Sequence, residues 1–373
     1  MRKNENDFLR KAKKGKNDEF YTQLKDIEKE LIHYKVHFKN KIVYCNCDDP
    51  ITSNFYKYFA INFKKLGLKK LIASCYVEKE FDLLNVDNDI KRGYYYEYSG
   101  KKDEEVFPTS DMVKYFDGDG DFRSKESIEL LTESDIVVTN PPFSLFRELL
   151  SQLVEYDKQF LIIGNINAIT YKETFKLIGE NRIWMGINMG RGISGFIVPE
   201  HYELYGTETK VNENGEKIVS PNNCLWLTNL DNSKRHEDIP LTRTYQKEKD
   251  LYQHYDNFNG INVNRTANIP SDYSGVMGVP ITFLHKHNPE QFEIVGFRKG
   301  DDGRDLSING KNPYFRILIK HKGWSLIKDR LLMQTFIEES LNMLDREVYD
   351  ALLFFWCQYI ILTNIIYRDK SSL

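Results

Sequence analysis

Cysteine is scarce and scattered. The five, at positions 45, 47, 75, 224 and 357, form no C-x-x-C pair and have no histidine at zinc-ligand spacing. Their odd count and spacing argue against a disulfide framework and a structural zinc, and predict reduced thiols in a cytoplasmic protein. An excess of charge is lacking too. Lys+Arg number 52 against 55 Asp+Glu, a net charge of -3, which neither marks nor excludes a nucleic-acid partner, because clustering decides rather than the sum. The basic N-terminal stretch RKNENDFLRKAKKGK has no apolar segment behind it, so it is not expected to be a secretory signal. There is no internal repeat and no low-complexity tract. Long apolar runs are missing with one exception, ALLFFWCQYIILTNIIY at 351–367, which is 17 residues without a charge. That length is at the short end for a membrane span, and Gln358, Thr363 and Asn364 interrupt it, so a buried C-terminal helix is expected and no membrane anchor.

What is present is a chain of 373 residues, 41% hydrophobic and 29% charged, enough for one large domain or two ordinary ones. Leu24, Ile27, Leu31 and Tyr34 recur with a helical period, which predicts a helix over 18–34 with Thr22 as its N-cap. KIVYCNC at 41–47 reads as a strand ended by Asp48-Asp49-Pro50, 53–66 as a helix and 70–76 as a second strand. A polar, Tyr- and Gly-rich hairpin-like insertion follows at 92–110, then a strand at 136–139, a helix at 144–155 and a strand at 159–163. Strands alternating with helices predict an α/β fold, a parallel sheet with crossover helices on both faces. In such sheets ligands bind beyond the carboxyl ends of the strands, so the loops after Cys47, Tyr76 and Thr139 should share one rim. Past residue 180 the texture changes to clustered glycines (Gly186, Gly190, Gly192, Gly195), short alternating strands and polar connections. The expected organisation is a catalytic domain over 1–180, a loop-rich α+β recognition region with the remaining core strands over 181–322, and a helical appendage over 323–373.

The stretch IVVTNPPFSLF at 136–146 carries the chemistry. An apolar strand runs into Asn140-Pro141-Pro142-Phe143, where two consecutive residues lack an N–H and no ladder can continue. An exocyclic amine on a heteroaromatic base is a poor nucleophile because its lone pair is delocalised. Two fixed acceptors that bind both amino hydrogens draw the nitrogen toward tetrahedral geometry and free the lone pair for a methyl donor. The Asn140 side-chain oxygen and the Pro141 carbonyl suit those roles, the prolines fix φ, and Phe143 offers a face on which an extruded base can stack. A tight turn after a strand is the other reading of the tetrapeptide. Enzymes that methylate glutamine side chains also carry Asn-Pro-Pro-(Tyr/Phe).

KNDEFYTQ at 16–23, IVYCNCDDP at 42–50, NPPFSLF at 140–146 and DYSGVMGVPITFLHKHNPEQFEIVG at 272–296 together resemble the EcoRI-type adenine-specific DNA methyltransferase family, over roughly residues 10–320. The motif order resembles the gamma arrangement of amino-methyltransferases. The resemblance implies a Rossmann-like fold that binds S-adenosylmethionine, and methyl transfer to N6 of adenine in duplex DNA. It implies GAATTC as the site, a cognate restriction endonuclease or an orphan modification role, and no metal; a monomer is expected. Phe20, Tyr21 and Thr22 correspond to the segment that holds the methionine carboxylate at a helix N-terminus, where free N–H groups suit an anion. Asn46 and Asp48 fall in the cofactor loop, although the usual glycine-containing form of that loop is replaced here. GDGDFRS at 118–124 corresponds to the segment whose acidic residue and following aromatic contact the cofactor adenine, which gives Asp121 and Phe122. A calcium loop is the alternative there, but further ligands at the right spacing are missing. Glu78, Glu80 and Asp82 follow the second strand, where a carboxylate accepts from ribose hydroxyls, and Glu78 lies nearest the strand end.

For reading DNA, Arg191 in MGRGISGF and the polar-loop residues Asn262, Asn264 and Arg265 carry groups that pair with base edges or phosphates. Loop asparagines also serve turns. Phe196 and Trp184 are candidates for a second stacking face, with burial in the core as the alternative, and Arg10 to Lys16 for phosphate contacts. A methyltransferase acting on RNA adenine or protein glutamine, or a non-catalytic DNA-binding relative, are the competing functions.

Overall fold

The computed structural model describes residues 20–77, 92–189, 193–198, 209–212, 215–220, 223–298, 306–312 and 315–323. Glu78, Glu80, Asp82, Arg191, the basic N-terminal stretch and 351–367 lie outside them. Among the described residues no helix is long and apolar enough to cross a membrane.

The chain opens with β1 (Tyr21–Thr22) and α1 (Leu24–Leu31), which continues as a 3-10 helix over Ile32–Phe38. The expected helix therefore starts later than 18–34 implied, and Thr22 is not its cap. Its backbone pairs with Phe196, and Gln23 occupies the N-cap position without a side-chain capping bond to the helix. Next come β2 (Ile42–Cys45), α2 (Asn54–Leu66), β3 (Lys70–Cys75), β4 (Tyr94–Tyr98) and β5 (Lys114–Tyr115). Ser53 caps α2 by accepting from Phe55 N–H at 3.0 Å, and Gly67, at φ 66°, closes it in the left-handed conformation. After α3 (Lys125–Glu133), β6 (Ile136–Thr139), α4 (Phe146–Glu155), β7 (Gln159–Asn165) and α5 (Lys172–Gly179) come β8 (Trp184–Met189), β9 (Phe196–Val198), β10 (Thr209–Val211), β11 (Lys217–Val219) and β12 (Cys224–Thr228). The helix expected from 144 starts as a 3-10 turn over Phe143–Leu145, because the two prolines set the chain at an angle that an α-helix cannot take up at once.

One eight-stranded sheet, in the order β5-β4-β3-β2-β6-β7-β12-β8, organises these elements. Its centre β3-β2-β6-β7 is parallel, and the strand order reverses between β2 and β6. β4 pairs antiparallel with β3, so the segment expected as an insertion is part of the sheet. β2 and β6 are buried along their whole length, as expected of parallel strands covered on both faces. On one face Ile27, Leu31, Phe55, Phe59 and Phe63 from α1 and α2 pack on Val43, Leu71, Val138 and Ile163. On the other, Leu131 of α3 and Leu149 and Leu153 of α4 pack on Tyr44, Ile72, Val137 and Ile162. Buried Glu30 of α1 accepts from Ile187 N–H (2.7 Å) and Asn188 N–H (2.8 Å), which ties α1 to edge strand β8. Two strands from beyond residue 180, β8 and β12, thus complete the central sheet.

A second sheet, β1-β9-β11-β10, covers the rim. A third, β13-β14-β16-β15, is built from β13 (Gly260–Asn262), β14 (Val276–Val279), β15 (Phe292–Arg298) and β16 (Arg316–His321). Its Ile261, Met277, Phe292 and Ile317 join the core that contains α4 and α5.

Candidate active site

β6 delivers Asn140 to the rim. Its last residue, Thr139, is wholly buried, and its hydroxyl donates to Asp48 Oδ2 at 2.5 Å. Asp48 Oδ1 accepts from Ser53 Oγ at 2.8 Å, and the carboxylate also accepts from the Asn140 backbone N–H. Burial pushes the Asp48 carboxyl up to about 6, a rise those three donors limit. Asp48, expected at the cofactor, has its carboxylate met by three donors from within the fold. Its oxygens are engaged within the fold, where one carboxylate joins the loop after β2, the start of α2 and the catalytic strand.

The Asn140 side chain is held at one end only. Its Nδ2 donates to the Phe20 carbonyl at 2.6 Å, whereas its Oδ1 is buried without a hydrogen-bond partner. The bond to Phe20 fixes which end of the amide is which. Phe20 to Thr22 also meet the start of α2, where Asn54 Nδ2 donates to the Thr22 carbonyl at 2.9 Å. Phe143, half-buried, lies 5.5 Å from the Phe20 ring and 5.9 Å from Phe196, centroid to centroid. The Phe196 ring is fully buried and edge-on to both others. It supports the Phe143 face from below and does not form a second face. Trp184 is not a stacking face for this site either. It lies three strands from β6, roughly 14 Å away at sheet spacing, and the Arg235 guanidinium already covers its ring at 3.4 Å.

Two further buried acceptors near these loops lack partners, Thr22 Oγ1 and Asn46 Oδ1. An unpaired buried polar atom is costly, and a methyl donor rich in hydroxyl and amino donors would supply what both want. Tyr21, 39% exposed, flanks them. The residues present therefore fit a polar, nucleoside-type cofactor.

The GDGD segment does reach the rim. Val77 N–H donates to the Asp119 carbonyl at 2.9 Å, and a Cβ on Gly120, at φ +79°, would sit 2.6 Å from the Cys75 carbonyl at the end of β3. The side chains differ from expectation. Arg123 holds Asp121 through Nε at 2.9 Å and Nη2 at 2.6 Å and keeps its carboxyl below the usual range. Phe122 is buried in the core beneath α4, and as placed it presents no open face to a ligand. Among the described residues no group of three or more His, Cys, Asp or Glu is arranged to hold a metal ion.

Asn262, expected at a base edge, is buried and hydrogen-bonded within the fold. Its Oδ1 accepts from Tyr255 Oη (3.1 Å) and Arg316 Nε (2.7 Å), and its Nδ2 donates to Asn264 Oδ1 (2.8 Å). Asn264 and Arg265 are exposed. The described part of the glycine stretch is tied to α1: Asp26 accepts from Ser194 N–H (2.8 Å) and Oγ (2.9 Å), and Gln23 Nε2 donates to the Gly195 carbonyl (2.7 Å).

The strand tip, its one-sided amide and the ring beside it define the site, and comparison with known proteins names the family. Residues 8–322 match the family described as adenine-specific methyltransferase EcoRI. The chain belongs to the EcoRI adenine-specific methyltransferase family. It is 65% identical over 317 residues to the Type II methyltransferase M.EcoRI of Escherichia coli, covering 85% of this chain and 97% of that protein. It is 36% identical to M.MgeORF184P of Mycoplasma genitalium and 34% identical to M.MpnI of Mycoplasma pneumoniae, both Type II methyltransferases, covering 83% and 84% of this chain and 97% and 98% of theirs. No solved structure matches. As a member of this family the chain is an adenine-specific methyltransferase of the Type II, DNA-modifying kind, and its reaction needs a methyl donor. Thr139 and Ser53, which meet Asp48 beside Asn140, are residues that motif reading missed; a hydroxyl buried at the end of an otherwise apolar strand was the signal for Thr139.

Proposed function

We propose that the protein transfers a methyl group from S-adenosylmethionine to N6 of an adenine extruded from duplex DNA, as the modification partner of a restriction endonuclease or alone, and acts as a cytoplasmic monomer. The observation that carries this reading is the Asn140 amide, tied through Nδ2 to Phe20 and left with a buried, unpaired Oδ1. An acceptor fixed in that way costs no reorganisation when an amino hydrogen arrives. The Pro142 carbonyl already accepts from Leu145 N–H at 2.9 Å, so the Pro141 carbonyl is assigned as the second acceptor. With both hydrogens held, the amine lone pair turns toward the donor. S-adenosylmethionine supplies an electrophilic methyl on a sulfonium, and Phe20 to Thr22 and Asn46 are the residues assigned to hold it. The reversal of strand order between β2 and β6 is where a Rossmann-like sheet binds its nucleotide. Phe143 stacks on the flipped base, backed by Phe20 and Phe196. Arg265 and Asn264, exposed on the third sheet's loop, are available to the duplex.

Sequencing DNA from cells expressing the protein, with a method that detects N6-methyladenine, tests the proposal and reads the site. Modified adenines at one sequence are expected. Their absence, with methyl transfer to RNA or to a protein glutamine, would overturn it.

A further inference from the structure

Beyond Asn140, an amide at the end of the neighbouring strand, on the same face of the sheet, is buried with a donor left over. Asn165 closes β7, the strand next to β6, and only 8% of its surface is exposed. Side chains alternate along a strand, and Leu161 and Ile163 lie in the same core as Ile136 and Val138. Asn165 therefore projects on the face toward which Asn140 reaches Phe20. Its Oδ1 accepts from Asn167 N–H at 2.9 Å, which fixes the amide, and its Nδ2 has no partner. Strand spacing and rise put the two residues roughly 8 Å apart, a gap that a purine and its hydrogen bonds span.

The two amides are complementary in sense. Asn140 presents an acceptor and Asn165 a donor. In adenine the amino group is flanked by ring nitrogens N1 and N7, both acceptors. In guanine the amine is replaced by a carbonyl, which mismatches Asn140, and N1 carries a hydrogen, which mismatches a donor placed there; N7 is an acceptor in both purines. We infer that Asn165 is a substrate-contacting residue whose Nδ2 donates to a ring nitrogen of the target base beside the amine held by Asn140; a contact at N1 selects adenine over guanine, and one at N7 orients the purine. This rests on the reading of Asn140 given above. A buried donor without a partner is costly until the base arrives, and a base lacking the matching acceptor leaves it unpaired in the complex, which is how polar sites discriminate strongly.

The test crosses enzyme and substrate. Duplexes carrying adenine, 1-deazaadenine or 7-deazaadenine at the methylated position are assayed for kcat/KM with the wild type and with Asn165→Asp at about pH 8.5, where a carboxyl is ordinarily ionised. Asp retains the acceptor for Asn167 N–H and loses the donor. The wild type should lose about tenfold on one of the two analogues. Asn165→Asp should lose about as much on adenine and nothing further on that analogue. Asn165→Ala, which also gives up the Asn167 bond, should repeat the pattern, and thermal melts of both variants separate folding from contact. If the wild type methylates both analogues as it does adenine, or if the variants lose the same factor from the analogue as the wild type does, Asn165 does not touch the base. Wild type that methylates no DNA adenine at all would instead remove the proposed function itself.

Discussion

Asn140 and Asn262 are both asparagines at the ends of short strands, largely out of solvent, and their surroundings use them in opposite ways. Asn140 is half-engaged, with its Nδ2 on Phe20 and its Oδ1 without a partner. Asn262 is engaged at both ends, by Tyr255, Arg316 and Asn264. A buried amide that satisfies itself holds a fold together. One that leaves an atom unpaired at the rim where the strands end is available to a ligand, and the fold bears the cost of that atom until the ligand comes. The rim beyond β2, β6 and β7 repeats the second pattern at Asn46 and Asn165. In the turn before β15, by contrast, Asn288 uses its Nδ2 on Asp238 and its Oδ1 on Glu290 N–H.

The largest expected effect breaks the comparison at its centre. Asn140→Ala should lower the methylation rate by about 10²–10³-fold or more, the cost of removing one preorganised partner at a developing charge. Calorimetric affinity for the methyl donor should stay near that of the wild type, since Oδ1 serves the amine. A variant that still turns over normally would mean that the unpaired oxygen has another purpose.

Phe143 comes next. Stacking of a base on an aromatic ring is worth about 1–3 kcal/mol, so Phe143→Ala should slow methylation by about tenfold or more. Overall DNA affinity should fall less, because phosphate contacts dominate it. Duplex DNA with 2-aminopurine at the target position reports the step directly. Fluorescence that rises on binding wild type and rises less with the variant is the expected pair of results; equal rates for the two proteins would exclude a stacking role.

How much of this could be read in advance depended on whether the partners are close in sequence. The apolar run before Asn140-Pro141-Pro142 announced a buried strand that ends, and the helical period after Ser53 announced α2, because both signals are local. The hydrogen bond from Thr139 to Asp48 joins residues 91 positions apart, and no local pattern distinguishes a carboxylate that faces a ligand from one that faces a strand. Asn262 is a second case. Its loop is polar, but Arg316, 54 positions away, comes back to meet it. Thr22, expected as a cap, was instead drawn into pairing with a strand far along the chain.

Asp48 makes a prediction in pH. Burial holds its carboxyl at about 6 against an ordinary 3.8, so between roughly pH 4 and pH 6 the folded chain keeps a proton that the unfolded chain has released. The group therefore contributes most to stability in acid. That contribution is lost as pH rises through the window and is constant above it. Asp26 and Glu30, also raised by burial, titrate in the same sense, so the informative quantity is the difference between the wild type and Asp48→Asn. Thermal melts across that range should show the variant's advantage growing with pH and levelling off above about 6. A difference independent of pH would mean that Asp48 is ionised throughout.

The smallest effects sharpen the other side of the comparison, where Asn262 and Arg265 sit three positions apart on one loop. Asn262 is interior, so Asn262→Ala should cost about 1–3 kcal/mol of stability through the donors it abandons. In the protein that remains folded, the dependence of DNA binding on salt should be unchanged. Arg265 is exposed and resembles a phosphate contact. Arg265→Ala should leave the melting temperature within error and reduce the slope of log affinity against log salt by about one, the loss of a single counterion-releasing contact. If Arg265 read a base edge instead, the variant would relax the choice of methylated sequence and keep most of the salt slope, because specificity is carried by groove contacts and salt dependence by phosphates. The two variants differ by one turn of the chain and are expected to move different observables. Should both change the salt slope, the polar network around Asn262 would be what positions Arg265, and the division between a fold-keeping and a ligand-facing residue would have to be drawn at Asn264, whose Oδ1 accepts from Asn262 Nδ2 and which lies next to Arg265 in the chain.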